Sequence, residues 1–173
     1  MFSRFTLMNE EIFDVVDEQD RVVQQEKRSV VHAQGLLHRA VHVLVFNQRN
    51  ELFLQKRSMT KDVAPGCWDS SCCGHVHAGE TYDEAAIREL QEELGLRLNK
   101  NIITFLFKIA ACEETGYEFA QVYRLEHEGP FELHPEEIET GEWFTIDQVD
   151  RLVDKQPTTF APSFLCIWKR VRS

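Results

Sequence analysis

Glu89, Glu92 and Glu93 lie in the run Arg-Glu-Leu-Gln-Glu-Glu-Leu-Gly from Arg88 to Gly95, a composition that favours a helix. Residues three and four apart are neighbours on a helix surface, so three carboxylates at this spacing repel one another unless a counter-charge lies among them. A divalent cation supplies that charge. Hard oxygen donors suit Mg²⁺, or Mn²⁺ in its place, and such ions keep positions for water and substrate phosphates rather than filling an all-protein cage.

A rigid helix must carry these glutamates. Thr81 with Glu84 three residues on forms a capping-box pattern, and Gly95 follows Leu94 where a left-handed residue can end the helix. Ala85, Ala86, Leu90 and Leu94 recur at helical spacing, so one face can pack on a core while Glu89 and Glu93 stack one turn apart beside it. The rest of the chain reads as many short strands and few helices. Residues 11–16 and 21–24 flank the turn-prone 17–20 and predict an N-terminal β-hairpin, followed by a short helical piece near 26–34. Strands are predicted over 40–46 and 51–57, a loop over 58–66 ends in a Pro-Gly turn, and 68–73 leads into the acidic segment. Residues 102–112 and 117–126 predict a second hairpin, with a further strand at 141–145. Helices at 147–154 and 162–171 close the chain, and Phe164, Leu165, Trp168 and Val171 form a stripe on the second that reads as core or dimer contact. This order fits one domain over residues 1–173, of α/β (α+β) class, with a mixed β-sheet sandwiched between α-helices.

The segment 74–96 resembles the Nudix box: Gly74, five residues, Glu80, seven residues, Arg88-Glu89, apolar Leu90, any residue, Glu92-Glu93, any residue, Gly95 and apolar Leu96. Every fixed position is filled. An isolated Glu-x-x-Glu-Glu is usually a solvated helix face, but Gly74, Glu80, Arg88 and Gly95 at matching offsets favour a site. The resemblance implies the Nudix fold and metal-assisted hydrolysis of a phosphoanhydride. Position by position, it implies that Glu89, Glu92, Glu93 and the backbone carbonyl of Cys73 hold one or more Mg²⁺ ions, with Arg88 positioning a box glutamate. It further implies that Gly74 and Gly79 permit a tight loop path and that Glu80 braces this loop against the helix. The base for the attacking water is then Glu92 or Glu93, or a residue outside the box such as Glu118, with Glu137 a weaker candidate.

A second resemblance spans about residues 11–145. Gly35 to Ala40, Leu52 to Ser58 and Pro65 to His75 are similar to type I isopentenyl diphosphate isomerase, itself built on a Nudix fold. It implies a catalytic cysteine at Cys73, metal-ligating histidines at His38 and His75, and diphosphate binding by Arg57 and Lys61, with Lys56 beside them. His32 is the candidate for a further histidine, one residue short of the family's spacing. Two departures point away from isomerisation. The isomerases carry Glu-any-Glu in the strand after the box, whereas this chain reads Glu118-Phe119-Ala120, and alanine cannot act as an acid. They are degenerate at the positions of Glu89 and Glu92, and here both are present. The expectation is therefore a hydrolase cleaving a small substrate of the nucleoside-diphosphate type (NDP-X); isopentenyl diphosphate isomerisation and a non-catalytic nucleotide sensor are the alternatives.

Plainer readings stand beside these. Cys73 can be an unreactive buried thiol that acts through its main chain, and His38 and His75 can be satisfied structural histidines rather than a second metal site. Cys67, Cys72 and Cys73 lack a second pair at zinc-finger spacing. Lys56, Arg57 and Lys61 can be a solvated cluster or a clamp on a dianionic group. Trp68, Phe119 and Tyr123 can stack on a nucleobase or belong to the core. At 173 residues and 43% hydrophobic content the chain can bury a single core. Nineteen basic against twenty-nine acidic residues, a net charge of -10, disfavour long nucleic acids, so a phosphate-bearing substrate needs metal and local cations. Five cysteines, two of them adjacent, and a start from Met1 to Glu10 without an apolar core read as no signal peptide and a reducing, cytoplasmic setting. No apolar run approaches the about 20 residues of a membrane span. The N-terminal hairpin and the C-terminal helix offer surfaces for a homodimer.

Overall fold

The computed structural model describes residues 10–173; the part of the leader expectation that falls on residues 1–9 lies outside them. Strands β1 (Ile12–Val16) and β2 (Val22–Lys27) pair antiparallel as the predicted hairpin. Asp17 forms the turn by accepting backbone hydrogen bonds from Gln19 and Arg21 at 2.9 and 3.0 Å. Helix α1 (Arg28–Gln34) starts two residues later than predicted, because Glu26 and Lys27 stay in register with Phe13 and Ile12.

Strands β3 (His38–Phe46), β4 (Leu52–Arg57), β5 (Trp68–Asp69) and β6 (Cys72–His75) precede helix α2 (Tyr82–Leu94). Strands β7 (Thr104–Ile109), β8 (Glu118–Glu126) and β9 (Ile138–Phe144) follow, then α3 (Ile146–Lys155) and α4 (Pro162–Val171). The main sheet runs β5-β4-β3-β8-β7, with β6 paired to β3 and β9 to β4. It is mixed, as expected, since β3 and β8 are parallel and the other pairs antiparallel. One feature of the register makes room for a site. Strands β3 and β4 pair only where Val45 and Phe46 meet Phe53 and Leu52; beyond that point β6 takes the edge of β3 while β5 and β9 flank β4. A cleft opens between the two halves.

Side-chain alternation along the strands sorts the core into two layers. Val41, Val43, Val45 and Phe53 pack beneath Ala85, Ala86, Leu90 and Leu94 of α2. Leu44, Phe46, Leu52, Leu54 and Val122 pack on the other side against Phe164, Ile167 and Trp168 of α4. The α4 stripe is therefore core rather than dimer contact: Phe164 and Trp168 are buried, and Leu165 and Val171 are half-buried in the same cluster. Trp168 Nε1 donates to Asp150 at 2.8 Å, which satisfies the polar edge of its ring. Among the described residues no helix is long and apolar enough to cross a membrane.

Phe164→Ala should lower unfolding free energy by about 3–5 kcal/mol, the usual effect of emptying a buried aromatic site, measured by urea denaturation. Wild-type stability together with an altered molecular mass would instead assign this side chain to a subunit contact.

Candidate active site

Helix α2 begins and ends as its sequence signals. Thr81 Oγ1 accepts from Glu84 N at 3.2 Å, the Glu84 carboxylate accepts from Thr81 N at 2.9 Å, and Gly95 closes the helix at φ 71°. Gly74 and Gly79 turn out to serve different ends. Gly79, at φ 77°, has open space around it and makes the turn. Gly74 lies within strand β6, where a Cβ would fall 2.2 Å from the Glu89 carboxyl carbon. The expected loop role of Gly74 is corrected to close approach: a side chain there would displace the Glu89 carboxyl group from its place against β6.

Arg88 binds several groups at once. Its Nε and Nη2 donate to Glu80 at 2.8 and 2.9 Å, its Nη1 to Glu89 at 2.6 Å and Glu92 at 3.2 Å, and its Nη2 also to the His75 carbonyl at 2.8 Å. Glu80 also accepts from His77 N at 3.0 Å, so it links the loop to the helix through Arg88.

The three box glutamates are not equivalent. Glu92 has 56% of its side chain exposed and, among the described residues, is tied only to Arg88, whereas Glu89 and Glu93 are buried between helix and sheet. Burial pushes Glu89 up to about 7 despite the opposing Arg88 charge. Burial, then the nearby Glu89, push Glu93 well above the ordinary carboxylate range, and a hydrogen bond from Gln55 opposes the shift. Gln55 reaches from β4 to donate from Nε2 to Glu93 Oε2 at 2.7 Å.

The expected substrate cations divide by strand pleat. Arg57 Nη1 lies 3.3 Å from Asp69 and 3.7 Å from Cys73 Sγ, and Lys61 is ion-paired with Glu137. Burial alone would weaken the Arg57 charge, but the Asp69 carboxylate beside it opposes this and keeps it protonated. Lys56 alternates to the other side and pairs with Glu139 at 3.6 Å. Trp68, its partner across the strands, packs edge-on to Phe144 at 5.2 Å in the layer beneath α4. The structure thus does not bring Lys56 or Trp68 to the buried glutamates. Tyr123 is core, its Oη bonded to Asp83 at 2.6 Å, and the buried Phe119 lies under Lys108.

The Cys73 side chain is buried, its Sγ 3.5 Å from Asp69 Oδ2. Burial, Asp69 and Glu93 push its thiol well above its ordinary value, with Arg57 a partial offset, so it stays protonated. All five cysteines are unpaired.

On the face of β6 opposite Gly74, His32, His38, His75 and Glu118 bring one ligand atom each within 4.8 Å of the others. His75 Nε2 lies 2.9 Å from Glu118 Oε1 and 3.3 Å from His32 Nε2. His38 Nδ1 bonds the Leu36 carbonyl at 2.8 Å, which leaves Nε2 pointing toward Glu118 at 3.4 Å without a well-aligned hydrogen bond. It is the one such buried side-chain atom among the described residues, so His38 is not a fully satisfied structural histidine. Burial, then His75, pull His32 down to about 4, which keeps it neutral and able to ligate. Burial would raise Glu118, but His75 and His38 hold it well below the ordinary range. Glu118 therefore belongs to the histidines. Glu137 is the outside carboxylate near Glu93, carried by the turn in which His134 N donates to the Glu93 carbonyl at 3.0 Å.

Gln55, Asp69 and His42 were missed by sequence reasoning. A polar residue after Leu52-Phe53-Leu54 was the available sign for Gln55; Asp69 and His42 gave none, because strand register alone brings them together.

The NUDIX domain family matches residues 36–164. An isopentenyl-diphosphate Delta-isomerase from Serratia proteamaculans is 33% identical over 162 residues, 92% of this chain and 90% of that protein. A protein from a Nostoc species, named an uncharacterized Nudix hydrolase, is 42% identical over 121 residues, 68% of this chain and 72% of that protein. The crystal structure of DR0079 from Deinococcus radiodurans superposes with a TM-score of 0.78 at 27% identity, over 92% of this chain and 98% of the other.

A carboxyl whose pKa is raised on folding favours the folded state while protonated. For Glu89 that contribution is complete below 4.5, its unfolded value, and is lost as pH rises through about 7. In the absence of cations Tm should fall across this window, and Mg²⁺ should restore it most at the alkaline end. Glu89→Gln should flatten both responses. A wild-type Tm indifferent to Mg²⁺ at pH 8 would contradict the assignment.

Proposed function

This chain belongs to the Nudix family as an enzyme of the hydrolase type, and we propose that it uses Mg²⁺ to cleave the phosphoanhydride of a small NDP-X substrate by water attack at phosphorus. The observation that carries this reading is the burial of Glu89 and Glu93 against β6 with less cationic charge than they need. Glu93 Oε1 accepts no hydrogen bond from any described residue, and the donors are all hard oxygens, so the residues fit Mg²⁺, with Mn²⁺ as a substitute. When bound, such an ion neutralises phosphate oxygens and makes a water acidic enough to attack.

The side chains divide the remaining work. Glu89 and Glu93, with Glu92 at the rim and the Cys73 carbonyl, hold the cation, and Arg88 fixes Glu89 in place. Arg57 and Lys61 exchange part of their pairing with Asp69 and Glu137 for the substrate diphosphate. Released from Lys61, Glu137 accepts the proton of the attacking water. Lys56 and Trp68 act structurally on the α4 face. The histidine set with Glu118 fits a second cation of borderline softness, such as Zn²⁺. One domain in a reducing cytoplasm suits the unpaired cysteines.

Isomerisation of isopentenyl diphosphate is the second reading, supported by the Serratia relative and by the histidine set. Against it, Ala120 aligns with Ala40, itself paired with His75, so a methyl group occupies the position where this face would need a second carboxylate.

Nucleoside di- and triphosphates, nucleotide sugars, dinucleotides and isopentenyl diphosphate, assayed with Mg²⁺ and with Mn²⁺, should give metal-dependent cleavage of an NDP-X compound. Glu93→Gln should reduce that turnover by more than the roughly 10–100-fold typical of losing an outer partner of a metal ligand. Sustained formation of dimethylallyl diphosphate, or full activity in folded Glu93→Gln, would overturn the proposal.

A further inference from the structure

We infer that Gln55 is a positioning residue for Glu93, selecting which carboxylate oxygen faces the cation; this rests on Glu93 being a metal ligand, as proposed above. Gln55 is 1% exposed and follows the buried apolar run Leu52-Phe53-Leu54 in β4, so its amide must find partners inside the protein. Gln55 Nε2 has three acceptors in reach: Glu93 Oε2 at 2.7 Å, the Ser71 carbonyl at 3.4 Å and, more weakly, Cys73 Sγ at 3.9 Å. With Glu93 ionised, as a cation ligand must be, turning the amide over would set its oxygen against the carboxylate and the Ser71 carbonyl, which fixes its orientation. The Cys73 N–H also points at Glu93 Oε2, from 3.5 Å.

Both donors converge on one oxygen, and neither reaches the other. Glu93 Oε1 is left as the ligand atom, and the carboxylate cannot rotate without giving up the Gln55 hydrogen bond. A longer-range consequence comes from the sheet: Gln55 sits on β4 and Cys73 on β6, so the contact spans the cleft between the half-sheets and fixes α2 relative to both. Metal ligands oriented by such outer hydrogen bonds lose affinity when the partner is removed.

Two substitutions test this. Gln55→Met keeps the length and removes the donor; Gln55→Asn keeps the amide but withdraws it by one methylene, so the test survives if the first variant folds poorly. Mn²⁺ binding is followed by the paramagnetic signal of the free ion, and the helix site is identified as the binding lost in Glu93→Gln. Both variants should bind Mn²⁺ about 10–100-fold more weakly at that site. The Mn²⁺ concentration for half-maximal turnover should rise by the same factor while the KM for substrate changes less than about twofold. Wild-type Mn²⁺ affinity in either folded variant would overturn the role of Gln55. Weakened Mn²⁺ binding in a protein that hydrolyses no tested substrate would uphold the role and overturn the hydrolase.

Discussion

Glu89 and Glu93 are desolvated at the line where α2 lies on β6, and burying carboxylates costs several kcal/mol each unless charge and hydrogen bonds are returned to them. The surroundings return only part of this. Arg88 supplies one cation, shared among Glu80, Glu89 and Glu92, and Gln55 supplies one neutral donor to Glu93. The absent Cβ of Gly74 leaves room for the Glu89 carboxyl group against β6, and Ala85, Ala86, Leu90 and Leu94 hold the helix in place by packing. In the proposed function, the remaining electrostatic deficit is what would give a divalent cation its affinity. A site whose carboxylates were fully paired by arginines would make a more stable protein and a poorer metal centre.

The cleft between the half-sheets converts this helix feature into a site with two sides. Strand β6 turns Gly74 toward the box glutamates and His75 toward the histidines and Glu118. Two potential cation sites thus share one short strand, and Arg88 touches both through Glu89 and the His75 carbonyl. Hydrolysis and isomerisation place different demands on these faces. The first needs oxygen ligands and a nearby water base; the second needs an acid that can reach carbon. Here the glutamate face is complete and the histidine face has alanine at position 120, so the balance of groups favours attack at phosphorus.

The parts legible in the sequence were those whose determinants are local. Helix α2 carries its own start, stop and packing stripe between Thr81 and Gly95, and both hairpins are marked by their turns. Pleat and register were harder to read, because they depend on which strands pair. Arg57 and Lys56 are adjacent in sequence yet face opposite layers, so a basic cluster on paper becomes one cation at the site and one outside it. Glu118 stood out as the remaining carboxylate of the isomerases' pair and a candidate base, but parallel pairing with β3 delivers it to His38 rather than to the box. The helix–turn connection from α1 into β3 likewise brings His32 to the other histidines despite its short spacing in sequence.

Reaction in ¹⁸O-labelled water, with mass analysis of both products, tests the central claim most directly. Attack by a water held at the α2 site predicts one heavy oxygen in a phosphate-bearing product for each turnover. Label carried instead by the non-phosphate product, through cleavage of a carbon–oxygen bond, or turnover that incorporates none, would contradict it.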